Sequence, residues 1–572
     1  MPGLLKSVPV DDALRRAHDR HRPLVVLAVL GVLAVYVYLF TQAAGSVGLR
    51  LPAELAGDLG VELPAVFDDD GNVESNLQIS LTDRVDRSDD ERLVFFGALA
   101  AAFLCAYFLP LRYKQASLVL WATVAIVVLY GVEATCALLL AHFVVYLVLH
   151  PDRRRGLPVS AAAGLAAYLA FVHEAGAGLD RWVWIGLLPA ISAALYRHAL
   201  LPALERPRIA AIVQPAAVHS AILTICVGIL AESRTGNAWQ LPLGLLMFFW
   251  QWARMTMYYI DHRDGQVPSD LPLHRYLAVF VSPGAIPNWS WGVSIPQGYA
   301  YLNNNFLSRD KNDIVVDGLR LLGIALLYLV CWDWLRNGVS QWLDGLGIPV
   351  YRCNTRFLVR HFVAGAEVGT ASVLLTTLLD LARFMLFFGS VMHFKVGVWR
   401  LFGYDVAAYY DRPWKATNLV ALWGRFAFHY REFLVRAFYY PSFFRLFRGS
   451  RHLRVFVASM MAATVGNFIW HVSERVFFRE LSVDDLMHTV GTWPYFVLLG
   501  LGISGYQLFR MLRKPTRKPW TRDRWIAGDI LAAYCTLQFF GLIHIFMRPA
   551  SGGTVGDLFR LFLIGFGIEL PR

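Results

Sequence analysis

Charge and cysteine are both scarce in this chain of 572 residues. Only 17% of its residues are charged against 56% hydrophobic, and there are six cysteines. With a mean hydropathy of +0.46, so little charge excludes a soluble globular protein. Cys105, Cys136, Cys226, Cys331 and Cys535 lie in or at the ends of apolar runs, Cys353 stands alone in a basic loop, and no CxxC pair occurs. Neither a disulfide framework nor a thiolate metal site is expected, and the thiols read as small hydrophobes. The strict apolar–polar alternation of a membrane β-barrel strand is also missing, since the apolar runs are apolar on every face. No GxxxxGK[ST] loop offers a phosphate cradle for nucleotide-driven transport, and no convincing internal repeat supports an inverted-repeat transporter.

Long apolar runs dominate instead. They fall at 24–40, 93–109, 118–149 (long enough for two spans), 159–172, 182–200, 209–230, 241–260, 321–334, 362–379, 455–470, 493–508, 526–547 and 558–568. A helix crossing the hydrocarbon core needs roughly 20 apolar residues, so this is an all-α polytopic membrane protein of about 11 to 14 transmembrane or re-entrant helices around a central polar cavity. Lys6, Arg15, Arg16, Arg20 and Arg22 precede the first run, and acids follow it at 68–70 and 89–91. Basic residues stay on the inner side, so the amino terminus is expected in the cytoplasm and the protein in the cell inner membrane. The chain then divides into a cytoplasmic segment (1–23), an anchor span with an acidic extracytoplasmic insert (24–92), and a membrane core (93–572). The first run is too long for a cleaved signal.

The net charge of +11 sits partly in basic loops such as 153–155 and 513–518. Anionic lipid is the favoured partner for these loops, the phosphates of a cofactor such as coenzyme A are the alternative, and nucleic acid is not implied. Two long interruptions, 261–316 and 380–454, break the series of spans. The second carries Arg383, His393, Lys395, Arg400 and Arg412 among moderately apolar stretches. Irregular backbone at membrane depth has to be buried or line water, so re-entrant or oblique helices around a cavity are expected there. Ionisable groups in such a setting mark a site by default.

Four elements follow in order: Tyr409-Tyr-Asp-Arg-Pro-Trp414, Leu422-Trp-Gly-Arg425 with His429, Ala437-Phe-Tyr-Tyr-Pro441, and Gly466-Asn-Phe-Ile-Trp-His471. Phe402-Gly403 and, more weakly, Ser282-Pro-Gly284 precede them. In order and approximate spacing they resemble the membrane-bound O-acyltransferases, in particular the bacterial branch of alginate O-acetylation and teichoic-acid D-alanylation. Gly466 lies two positions early, Val472 replaces a glycine, and His429 is reached by a different spacing. The resemblance implies acyl transfer, first of all of acetyl, from a cytoplasmic acyl-CoA or carrier-protein thioester, with no bound cofactor. The implied acceptor is a hydroxyl of an envelope polysaccharide or lipid reached from the outer face, and an extracytoplasmic transferase would be a partner.

The chemistry is coherent in its own terms. Transfer to a hydroxyl needs a base, and imidazole, with an ordinary pKa of ~6.5, suits that role near neutral pH. His471 is the candidate base, and His429 would orient the acceptor or stabilise charge on the thioester carbonyl. Trp423 and Trp470 would wall the acyl pocket, with Asn467 in the substrate-binding set. Arg412, Lys415, Arg425 and Arg431 are the candidates for donor phosphates, for which forked guanidinium contacts are well suited. Against these readings, lone histidines such as His219 and His393 often only hydrogen-bond a neighbouring helix, and interfacial cations are often solvated by headgroups. His429-x-x-Glu432 and His471-x-x-Glu474 each place two ligands on one helical face, the pattern of a rival metal-site reading; no resident metal is expected. A polysaccharide or lipid transporter or flippase is the other rival.

Overall fold

The computed structural model describes residues 12–42, 66–67, 73–74, 89–169, 180–217, 240–281, 295–471, 491–513, 527–547 and 553–569. Within them the fold is all-α, apart from one pair of two-residue strands, Val66–Phe67 and Val73–Glu74. Seven helices are long and apolar enough to cross a membrane: Leu111–Val128, Ile185–Leu204, Lys311–Gly345, Thr370–Leu401, Arg451–His471, Trp493–Leu512 and Ala527–Met547. Shorter apolar helices cover Pro23–Val37, Phe96–Phe108 and Thr135–Leu149. The protein is a multi-pass membrane protein. Of the expected run 209–230, the part beyond 217 lies outside the described residues, as do His219 and residues 282–284.

Two departures from the run-by-run expectation have a common cause. The stretch 118–149 runs without a helix break in one helix, Leu111–Leu149, of 39 residues, which holds both the Leu111–Val128 span and the apolar Thr135–Leu149 stretch. Helix Thr370–Leu401 begins later than the run at 362 and continues unbroken through Arg383, His393, Lys395 and Arg400, where an interruption was expected. Neither helix contains a proline, and the polar side chains of the second are accommodated by partners rather than by a break in the backbone. Arg383 lies 2.9 Å from Asp380 one turn earlier, Ser390 donates to the Ala325 carbonyl at 2.7 Å, and His393 is buried between the rings of Tyr328 and Tyr410.

The chain forms two compact units. The first comprises the described helical residues up to Arg320 together with 395–406, and the second comprises 321–394, everything from Ala407 onward and the small strand pair. In the first unit the amino-terminal segment is built in. Asp19 bridges two buried lysines, 2.6 Å from Lys311 and 3.2 Å from Lys114, while the Tyr107 hydroxyl accepts from the Arg22 N–H at 2.7 Å and donates to Asn312 at 2.6 Å. The unit's core is unusually polar. Arg254, fully buried, donates to the carbonyls of Ile295 and Val279 and lies over Trp399, and Tyr258 bonds His150 at 2.6 Å. The Phe402-Gly403 element closes helix Thr370–Leu401. Gly403 takes φ +84°, and a Cβ there would come 2.8 Å from Leu307, whose N–H donates to the Gly403 carbonyl. Only glycine combines that backbone with that approach.

In the second unit the long helices pack closely enough to exclude side chains. A Cβ on Gly541 would meet the Thr377 carbonyl at 2.9 Å, and Gln538 on the same helix donates to Thr377 Oγ1 and the Leu374 carbonyl. Helix Arg451–His471 is fastened to Trp493–Leu512 by Ser459 donating to Gln507 at 2.7 Å and Thr464 donating to the Phe496 carbonyl at 3.0 Å. Hydroxyls that bond across helices in this way satisfy polar groups that lipid would leave unpaired.

Candidate functional site

Residues 409–441 are where short, polar, aromatic-rich structure replaces long helices, and the sequence explains each turn. Arg412 sits at φ +46°, ψ +60°, a left-handed conformation imposed on a non-glycine directly before Pro413, which disfavours the right-handed helical region for its predecessor. The chain then makes a 3-10 turn at Pro413–Lys415 and enters helix Leu419–Phe426, capped by Asn418 accepting from Ala421 N–H at 2.8 Å. Helix Phe428–Leu434 follows and passes into the π-helical turn Val435–Tyr439.

Three hydrogen bonds stitch the extended segment 407–411 to the joint between these two helices. Asp411 N–H donates to the Arg425 carbonyl at 2.8 Å, Phe428 N–H donates to the Tyr409 carbonyl at 3.1 Å, and His429 Nε2 lies 2.9 Å from the Ala407 carbonyl. A carbonyl only accepts, so the proton of this last bond is on Nε2. His429 is fully buried, with the rings of Tyr409 and Phe428 at 5.2 and 5.0 Å.

Tyr430, one residue on, is a centre that the sequence motifs did not single out. Its hydroxyl donates to Asn467 Oδ1 at 2.8 Å, and its ring lies 5.0 Å from Trp470 and 5.9 Å from Trp423, with Phe433 a further 5.4 Å neighbour of Trp470. Trp423, Asn467 and Trp470, three expected site residues, are therefore brought together. His429 and His471 occupy the chain positions next to this cluster, His429 before Tyr430 and His471 after Trp470. The half-buried imidazole of His471 lies 5.4 Å from Phe496.

The helix carrying Asn467, Trp470 and His471 contains a second π-helical turn, Met461–Gly466, which meets the first. A Cβ on Gly466 would stand 2.7 Å from the Phe438 ring. Such widened turns recur at functional sites, because they re-aim the side chains that follow. Two donors in this cluster are left over: Trp423 Nε1 and Asn467 Nδ2 are buried and have no hydrogen-bond partner among the described residues.

The four expected cations divide. Arg425 Nη1 lies 3.7 Å from the Asp411 carboxylate, and Arg431 lies 2.6 Å from Glu432 with its guanidinium over the Phe428 ring. Both are thus balanced from within the protein. Lys415 is buried in the 3-10 turn and Arg412 is half-buried beside it. Among residues not anticipated, Tyr410 is buried against Phe426, and burial followed by the neighbouring Tyr328 phenol raises its hydroxyl well above the ordinary range, so it remains an O–H donor.

Among the described residues no group of three or more His, Cys, Asp or Glu is placed to hold a metal ion; Val472 and Glu474 lie outside them. No protein-family model matches the chain, and no curated protein matches its sequence. Fold and site together define a multi-pass helical membrane protein with an aromatic, histidine-flanked polar cluster.

Proposed function

We propose that this protein is a membrane O-acyltransferase of the inner membrane, with its amino terminus in the cytoplasm. It moves an acyl group, acetyl in the first instance, from a cytoplasmic acyl-CoA or carrier-protein thioester to a hydroxyl of an envelope polysaccharide, with an extracytoplasmic transferase completing delivery. The observation that carries this reading is the junction at Tyr430, which joins the Trp423 and His429 elements to the Asn467-to-His471 element through one 2.8 Å hydrogen bond and the 5.0 Å contact with Trp470. The elements that resemble the acyltransferases thus pack on one another although they are 37 residues apart at the bond.

In this mechanism His471 accepts the proton of the attacking hydroxyl and returns it to the departing thiolate. His429, held by the Ala407 carbonyl, orients the acceptor. Trp423 and Trp470 exclude water from the acyl group, which strengthens every electrostatic contact inside. Arg412, Lys415, Arg425 and Arg431 are the cations that this reading assigns to the donor's phosphates, with Arg425 and Arg431 also facing carboxylates of the protein.

Mass spectrometry of envelope polymers from cells with and without the gene tests the reading directly. An acyl ester that disappears with the gene, and does not return with His471→Ala at equal membrane abundance, is the expected result. An unchanged polymer and lipid profile rejects it.

A further inference from the structure

We infer that Trp423 Nε1–H and Asn467 Nδ2–H form a donor pair that receives the acyl carbonyl oxygen of the thioester, an assignment that rests on the acyltransferase reading above. Trp423 is 8% exposed and Asn467 fully buried, and neither nitrogen has an acceptor among the described residues. Their polar neighbours are satisfied: the Tyr430 hydroxyl by Asn467, His429 Nε2 by the Ala407 carbonyl, and Glu432 by Arg431. A buried donor without a partner is costly and calls for an explanation, and a ligand that supplies the missing acceptor is one.

The chemistry of the two groups selects that ligand atom. An indole N–H only donates, so whatever meets Trp423 has to be an acceptor. The carboxamide of Asn467 is oriented by Tyr430, whose hydroxyl donates to Oδ1 and leaves Nδ2 as the remaining donor. Both residues adjoin the same phenol, so one oxygen with two lone pairs matches them. The rings of Tyr430, Phe433 and Trp470 around them provide an apolar surround in which hydrogen bonds to developing negative charge are strong. His471 lies one helical turn beyond Asn467, on the same face, roughly 5–6 Å away between Cβ atoms.

The step balances without any further reactant. The acceptor hydroxyl oxygen bonds the carbonyl carbon as its proton passes to the His471 imidazole, and the carbonyl π pair moves onto the oxygen held by the two N–H groups. On collapse the C=O re-forms, the C–S bond breaks, and the imidazolium protonates the thiolate, leaving an ester and a free thiol. Both donors bond the oxygen most strongly as charge grows on it during the reaction, so their loss falls on kcat far more than on KM.

The experiment uses the full-length protein in lipid nanodiscs, radiolabelled acetyl-coenzyme A and isolated envelope polysaccharide, with Trp423→Phe and Asn467→Leu beside the wild type. Each variant is expected to lose about 100-fold in kcat, with KM for the thioester within about twofold of wild type. Trp423→Phe, which keeps an aromatic ring and deletes only the unpaired donor and some volume, is expected to keep or raise Tm without ligand. Its kcat loss therefore cannot be a folding loss, even if Asn467→Leu, which also removes the Tyr430–Asn467 hydrogen bond, proves unstable. Wild-type kcat in Trp423→Phe overturns the donor pair and leaves the acyltransferase reading standing. A lower Tm with kcat and KM disturbed together makes Trp423 a packing residue and likewise overturns the pair. A wild type inert toward both acetyl-coenzyme A and carrier-protein thioesters overturns the acyltransferase reading, and this role with it.

Discussion

Gly466→Ala is the substitution whose outcome reports most directly on the packing behind the site. In an ordinary helix interior, replacing glycine by alanine stabilises by about 0.5–1 kcal/mol, because glycine loses more backbone freedom on folding. At Gly466 the new methyl would stand 2.7 Å from both Cγ and Cδ2 of Phe438 and 3.1 Å from Cδ1, so it meets the ring and not the end of a flexible chain. Phe438 is itself held in the π-helical turn Val435–Tyr439, with Phe433 6.2 Å away. Overpacking of this kind costs about 1–3 kcal/mol, which outweighs the backbone gain and leaves a net loss of about 1–2 kcal/mol. The displaced turn directly precedes Asn467, so turnover should fall as well. Thermal unfolding in detergent, read alongside acyl transfer, measures both, and Phe438→Leu should restore much of each in the double variant through a coupling of about 1 kcal/mol. A Gly466→Ala protein as stable as wild type, with additive behaviour in the cycle, would refute the close approach and with it the claim that the π-helical turns set the site.

His471→Ala is expected to reduce acyl transfer by about 10²–10⁴-fold in a folded protein, and His429→Ala to reduce it less while lowering Tm, since His429 is buried and bonded to Ala407; a reversed order in single-turnover assays exchanges their roles. Asp19→Ala strands Lys114 and Lys311, both buried, and should cost about 3–5 kcal/mol in the first unit, whereas Asp19→Ala with both lysines replaced by methionine should recover most of it in chemical denaturation. Burial, with His262 second, lowers His150 from the ordinary value to about 4, so the folded state prefers the neutral ring. Its contribution is whole above the unfolded value of ~6.5 and is lost as pH falls toward 4, the loss approaching about 3 kcal/mol; His150→Gln should flatten the fall in Tm between pH 7 and pH 5, and an unchanged slope counts against it.

What the sequence could not reveal is partnership at a distance. The run at 493–508 reappears in Trp493–Leu512 and the run at 526–547 in Ala527–Met547, because local apolarity decides those spans. Asp19 carries no such signal, since it pairs with a lysine 292 residues away. Arg383, Ser390 and His393 looked like a break for the same reason: a polar residue read alone has to be assigned to water, and only the folded chain supplies Asp380, the Ala325 carbonyl, Tyr328 and Tyr410. Tyr430 carries no motif signal of its own beside His429, although in the folded unit it is Tyr430 that reaches Asn467.

On the proposed reading, the helical positions around that bond let a base and a donor pair serve one carbonyl. Successive residues on an α-helix are turned by about 100°, so Trp470 lies about 60° to one side of Asn467 and His471 about 40° to the other. Tyr430 engages Asn467 and Trp470 together, so it covers the Trp470 side of this arc, while His471 on the other side lies against Phe496. On the facing helix His429 is turned about 100° from Tyr430, toward Ala407 and Tyr409. On the proposed acyltransferase reading, an acyl group reached by both Asn467 and His471 would have its carbonyl oxygen against the aromatic cluster, toward the amide, and its reacting carbon toward the imidazole.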